Sequence, residues 1–346
     1  MHSTGLTEPA TLPAADLRQL RRAIADFAPP DTRRAVIQLL NTAIPFCALV
    51  ATILYAVDHG AWWGALLSIP GAALLVRLFM IQHDCGHGSF LPSRRANDMI
   101  GRVIGVLTLT PYAFWRKSHA VHHATSGNLD RRGTGDVSTL TVAEYRALGR
   151  AERLAYRLYR NPLVFFGLGP LYMFVLKNRI PLSHPVRDWK SWASILGTNA
   201  ALAALTISLG LDTVLLGYLP VLLLAASVGV WLFYVQHQFE GTYWARQAEW
   251  SFPEAALEGS SYYALPKPLH WVTASIGFHH IHHFSSATPN YRLRDCFERF
   301  AELRRARPMT LVASLRAATL ALWDEQQRKL VSFREAADLL RAAAPG

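Results

Sequence analysis

The stretch VIQLLNTAIPFCALVATILYAVDHGAWWGALLSIPGAALLVRLFMIQHDCGH, residues 36–87, decides the fold. Val36 to Val57 is almost wholly apolar, and so is Ala61 to Gln82 apart from Arg77. An α-helix of about 20 residues, rising about 1.5 Å per residue, spans roughly 30 Å, the thickness of a bilayer's hydrocarbon core. Only Asp58-His59-Gly60 separates the two runs, which predicts a tight hairpin of two membrane spans. The stretch ends on His83-Asp84-Cys85-Gly86-His87, so histidines begin where the apolar text stops.

A second hairpin follows at about Ser191 to Leu209 and Thr213 to Gln236, turned by Gly210-Leu211-Asp212. The composition agrees with four spans. Of 346 residues, 51% are apolar and 17% charged, and the mean hydropathy is +0.15, too apolar for an average soluble domain. The formal charge of +11 is spread along the chain, with no basic stripe of the kind that binds nucleic acid, so no nucleic-acid partner is expected. Cys47, Cys85 and Cys296 form neither a metal-type pair nor a disulfide framework. No apolar run ending in a cleavage site marks residues 1–35 as a signal peptide.

Charge also orients the spans. Residues 1–35 hold 5 Lys and Arg, residues 83–190 hold 16 and residues 237–346 hold 13; Arg77 completes the 35, and the hairpin turns have none. The positive-inside rule then puts the turns outside and both termini in the cytoplasm, which in a bacterium means the inner membrane. Arg77, about two turns from the cytoplasmic end, is expected to snorkel or to meet a buried acid. Met99 to Phe114 and Pro162 to Leu176 are shorter apolar runs that suit interfacial or half-inserted helices. Residues 15–27 read as a short solvated amphipathic helix, and the region from Ala301 as surface helices with Leu311, Leu315 and Leu322 on an apolar stripe. The expected organisation is a cytosolic segment 1–35, a membrane unit 36–310 and a helical cytosolic tail 311–346.

Nine of the 14 histidines fall in a pattern. His83 and His87 stand in HDCGH, His119, His122 and His123 in HAVHH, and His279, His282 and His283 in HHIHH; His237 ends the fourth span. Helix positions three and four apart share a face, so each box offers two or three imidazoles from a rigid backbone. All nine lie on one side of the expected membrane. His2, His59, His184 and His270 are expected to be structural, and His280, inside the third box but off its spacing, to support the ligands. Nine ligands exceed what one zinc ion takes, and HExxH is absent, so a zinc protease is disfavoured. Ligand count suits two metal ions with open positions, while imidazole alone leaves iron, copper and zinc open. Asp84, Asp136 and Glu240 are candidate acceptors for imidazole N–H groups. A metal transporter would place its ligands at mid-bilayer, where none of the nine lies.

The three boxes, HxxxH, HxxHH and a late HxxHH, resemble those of the membrane fatty acid desaturase family, over roughly residues 36–310. The flanking text FWRKSHAVHH, GTGDVSTLTVAEY, FYVQHQFEGTYW and IGFHHIHHFSSATPNYRL is similar to bacterial Δ12 and ω3 acyl-lipid desaturases. That resemblance implies an all-α integral membrane fold: four transmembrane helices in two hairpins and a cytosolic helical cap around a di-iron site. It implies His237 as a further ligand, an acyl tunnel, O2 as co-substrate, a fatty acyl lipid as substrate, and a cis double bond as product. Tyr112 and Trp115 are candidates to line the tunnel, and Asn290 and Tyr291 to position the site. A hydroxylase or acetylenase on the same scaffold stays open on box spacing alone.

No haem-binding HPGG stretch occurs, so electrons are expected from a separate ferredoxin or cytochrome b5-like carrier that docks on the basic cytosolic face. Docking of that kind is screened by salt. Turnover with a reconstituted acidic donor is therefore expected to fall as ionic strength rises, and a rate unchanged in high salt would refute it.

Overall fold

The structure, a computed structural model, describes residues 13–180 and 188–342; the expected structural residues His2 and His184 lie outside the described residues. It is mostly helical. The helices are α1 (Ala14–Ile24), α2 (Thr32–Asp58), α3 (Ser68–His87, after a 3-10 stretch Trp62–Leu67), α4 (Arg94–Leu107), α5 (Tyr112–Thr125), α6 (Val142–Ala147) and α7 (Arg150–Tyr159). Then come α8 (Val164–Lys177, largely π-helical), α9 (Trp189–Leu209) and α10 (Leu211–His237). The last six are α11 (Phe252–Leu257), α12 (Lys267–Val272), α13 (His279–Phe284), α14 (Asn290–Arg299), α15 (Leu311–Ala317) and α16 (Phe333–Ala342).

Among the described residues, four helices are long and apolar enough to cross a membrane: Thr32–Asp58, Trp63–His87, Trp189–Leu209 and Leu211–His237. Asp31 caps the first by accepting from the Arg34 N–H. The spans run further than hydropathy drew them. The second carries its helix through His83 to His87, and the fourth ends on His237. Gly88, at φ 75°, stops α3 in a left-handed turn that a side chain would strain. α3 packs on α2, α4 and α10 and is the most buried span, whereas α9 leans on α4 and α5 and is the least. Gly101 on α4 is where the Tyr112 ring crosses, filling the place a Cβ would occupy.

Among the described residues Arg77 meets no acid. It is buried, its Nε donates to Thr42 Oγ1 at 3.1 Å, its Nη1 donates to the Trp271 carbonyl, and its guanidinium lies 4.2 Å from the Trp271 ring centroid. α1 is not simply solvated. Leu20 and Ile24 are buried against Ile281, Phe284 and Leu293, so its apolar stripe closes over α13 and α14.

The all-helical expectation fails in the tail. Strands β4 (Leu320–Asp324) and β5 (Lys329–Ser332) form an antiparallel hairpin beside β1 (Leu140–Thr141), and β2 (Tyr262–Tyr263) pairs in parallel with β3 (Pro308–Met309). Leu322 is therefore a fully buried strand residue, while Leu311 and Leu315 are exposed on α15, so the expected stripe does not exist. LALWD and KLVS are two short apolar runs on either side of the polar turn Glu325-Gln326-Gln327-Arg328, a hairpin signal by length and turn rather than by alternation.

Arg160 fastens this hairpin to the fourth span. Its Nη2 donates to Tyr234 Oη (3.0 Å), Gln238 Oε1 (2.9 Å) and the Leu320 carbonyl (2.8 Å), and Tyr234 Oη donates to the same carbonyl at 2.7 Å. No carboxylate pairs with it among the described residues. Replacing Arg160 by Met keeps the bulk but orphans these acceptors. We expect a loss of about 3 kcal/mol, read as a lower midpoint in thermal unfolding of the detergent-solubilised protein.

Candidate metal centre

The nine histidines converge on two points. The ligand nitrogens of His83, His87, His119, His123 and His282 lie within 4.8 Å of one another, as do those of His122, His237 and His283. His279 joins the second group through its Nε2, 2.9 Å from that of His237. α3 supplies the HDCGH pair from its last turn, α5 the HAVHH trio, α13 the third box, and α10 its final residue. Thus two spans fix the floor and two short helices close over it.

The nitrogens face each other without enough protons to satisfy them. His119 Nε2 is 3.0 Å from His87 Nε2 and 3.1 Å from His123 Nε2, and His123 Nε2 is 3.1 Å from His282 Nε2. His122 Nε2 is 3.1 Å from His237 Nε2, and His283 Nε2 is buried with no partner. One imidazole proton cannot bridge three lone pairs, so a buried assembly of this kind is costly unless a cation sits among them. Nitrogens bound to one ion at roughly 2.1 Å, at right angles, lie about 3 Å apart, which matches the spacing here. Burial, and then the neighbouring imidazoles, hold His119, His123, His279, His282 and His283 well below the usual histidine range. They are neutral at physiological pH, the form that ligates metal. The donor set fits metal ions.

The second nitrogens are anchored. His122 Nδ1 donates to Asp136 Oδ1 at 2.5 Å, and His83 Nδ1 meets Asp84 Oδ1 at 3.1 Å. Asp84 Oδ2 in turn accepts the Asn290 backbone N–H (2.6 Å) and Nδ2 (2.8 Å), tying the first box to the turn after the third. His237 Nδ1 donates to the Gly259 carbonyl at 3.1 Å. These bonds fix tautomer and ring orientation.

Other expected residues sit elsewhere. Trp115 stacks on His119 (4.7 Å, 15°) and abuts Phe79 edge-on. Tyr112 is engaged in helix packing, its hydroxyl donating to the Cys85 carbonyl and Asp98. Tyr291 Oη donates to the Phe90 carbonyl and accepts the Asp31 N–H, so it braces the start of α2. His280 turns away from both groups, its Nε2 donating to the Leu303 carbonyl at 3.1 Å. Glu240 departs from the expectation: half exposed, it faces Arg316 at 3.7 Å and bonds no imidazole among the described residues, because after the buried Gln238 the chain reaches the surface at Glu240. A cavity of about 440 Å³ lies beside Glu240 and His280, outside the histidine cluster. His59 and His270 keep structural parts, stacked on Tyr55 and Phe278. Two contributors were missed. Phe233, 5.1 Å from the His122 ring and 5.3 Å from that of His237, sits one turn before His237 and was legible as an i, i+4 neighbour. The Gly259 carbonyl had no side chain to announce it.

Four apolar helices, two of them ending at a largely buried, histidine-only cluster fit for metal, define an integral membrane protein with a histidine-rich metal centre. Among such proteins the chain belongs to the fatty acid desaturase family, whose model matches residues 59–313. It is 45% identical over 319 residues to a fatty acid desaturase of Bacillus subtilis (strain 168), covering 92% of this chain and 91% of that one. It is 33% identical over 301 residues to an sn-1 acyl-lipid omega-3 desaturase (ferredoxin) of Synechocystis sp., covering 82% and 79%. An sn-1 oleoyl-lipid 12-desaturase of Synechocystis sp. is 27% identical over 230 residues, covering 64% and 63%. The chain is accordingly a desaturase, an oxidoreductase of lipid metabolism.

If the Asp136 carboxylate sets the His122 tautomer, Asp136→Asn should weaken metal binding by about 10- to 100-fold while leaving the helical content intact. Metal titration of the stripped protein, followed by circular dichroism, checks this.

Proposed function

We propose that this enzyme introduces a cis double bond into a lipid-linked fatty acyl chain, at a Δ12 or ω-type position, with O2 and two iron ions. Supporting the two-ion reading is the division of nine imidazoles into a group of five and a group of four, each closed by its own short contacts. His83, His87, His119, His123 and His282 would hold one ion, and His122, His237, His279 and His283 the other. Breaking an unactivated C–H bond is beyond side-chain acid–base chemistry, and bound iron supplies the oxidising power with O2.

The chain's own residues do the rest. Asp136, Asp84 and the Gly259 carbonyl keep one nitrogen of His122, His83 and His237 occupied, so that the other faces inward. Trp115 and Phe233 line the imidazoles with apolar surface, which favours a methylene segment over water. Asn290, through Asp84, holds the third box in register with α3. The acyl-lipid substrate and the ferredoxin-type donor are carried over from the names of the relatives, and a cytochrome b5-like carrier would serve the same role. The charge asymmetry of the loops supports a cytoplasmic site, with both termini on that side.

Expression in a host lacking polyunsaturated lipids, followed by fatty-acid profiling, should reveal a new double bond. His122→Ala or His282→Ala should each abolish it and lower iron below two per chain. A product that survives both substitutions sinks the assignment.

A further inference from the structure

Two short helices carry large apolar side chains that the described residues leave uncovered in large part. On α12, Leu269 and Trp271 are 39% and 45% exposed; on α15, Leu311, Val312 and Leu315 are 43%, 79% and 65% exposed. The α15 residues are spaced i, i+1, i+4 and share a face, while Ser314 and Ala317 on the other face are buried. The parallel β2–β3 pair joins the two helices, since α12 follows β2 after three residues and α15 follows β3 after one. Both therefore leave the same end of that ladder.

Their anchors set their depth. The Trp271 carbonyl and ring are held by Arg77, whose Nε bonds Thr42. Arg77 lies ten residues before His87 and Thr42 ten after Thr32, so each is about 15 Å along its span from the histidine side. α15 is fixed by Ser314 Oγ, 2.9 Å from Tyr263 Oη, which also accepts from Trp231 Nε1 at 3.4 Å. Trp231 is six residues before His237, about 9 Å up α10. The exposed faces thus lie level with span segments whose own surfaces are apolar and exposed, such as Ile37, Leu40 and Ile44 on α2. Lys267 and Arg316, both exposed, flank the strip at headgroup-type positions.

We propose that α12 and α15 are set into the bilayer leaflet on the histidine side, their exposed faces forming one platform covered by lipid acyl chains. The platform continues the lipid-facing surface of the spans onto the cap, and its basic flank suits anionic headgroups. The proposal stands apart from the reaction assigned to the histidines.

Quenching in proteoliposomes tests it. With Cys47 replaced by Ala, because Cys85 and Cys296 are buried, single cysteines at Leu269, Val312 or Leu315 carry an environment-sensitive fluorophore. Glu298→Cys, whose native side chain is 65% exposed on α14, is the water-facing control. Acyl-chain nitroxides should quench the three platform labels several-fold more than the control, and iodide should do the reverse. Equal iodide quenching at all four positions would overturn the proposal, and so would shielding of the platform from both quenchers, which would mean that a protein surface covers it. Three independent positions keep the test informative if one variant misfolds.

Discussion

Everything in this structure answers to one electrostatic constraint: nine imidazoles, six buried and three half-buried, are packed together with several of their ring nitrogens turned toward each other about 3 Å apart. Such groups are expensive to desolvate unless a cation stands among them and their outer nitrogens are satisfied. The architecture meets both demands. α3 and α10 bring His83, His87 and His237 to the membrane's edge on rigid helix ends, and α5 and α13 supply the remainder across the gap. Asp136, Asp84 and the Gly259 carbonyl then fix which nitrogen points inward.

The membrane is the second determinant, and it explains why the core is shared so unevenly. α3 packs most heavily on α2, α4 and α10 and carries the first histidine box, whereas α9 leaves most of its surface uncovered by the protein. A span whose end must hold ligands cannot rotate or slide, so it is packed where the others need not be. The buried Arg77 belongs to the same scheme. Within the span it finds, among the described residues, no acid but a hydroxyl, a carbonyl and an indole face, and through Trp271 it anchors the short helix α12.

The segments outside the spans are bound to them by polar contacts that bridge distant parts of the chain. Arg160 joins the end of α7 to the fourth span and to β4, and Tyr291 reaches from α14 to both Phe90 and Asp31. The tail from Leu311 onward is therefore part of the same packed unit as the spans, with β4 lying on β1 and against Tyr234.

By itself the sequence determined the spans, their hairpin turns, the histidine boxes and the family they resemble, because each is written in local composition and helical period. Asp84 and Asp136 were legible too, as acids close to a box. What only the tertiary structure decided are pairings between residues far apart in the chain. It divided the histidines into five and four, gave His237 its carbonyl partner, and withdrew Tyr112 and Glu240 from the site. It also set the LALWD–KLVS hairpin against β1 and Tyr234, partners that no window of the sequence contains. Imidazole spacing along a helix is fixed by 3.6 residues per turn; which imidazoles then share an ion depends on how the helices cross, and that is settled by packing.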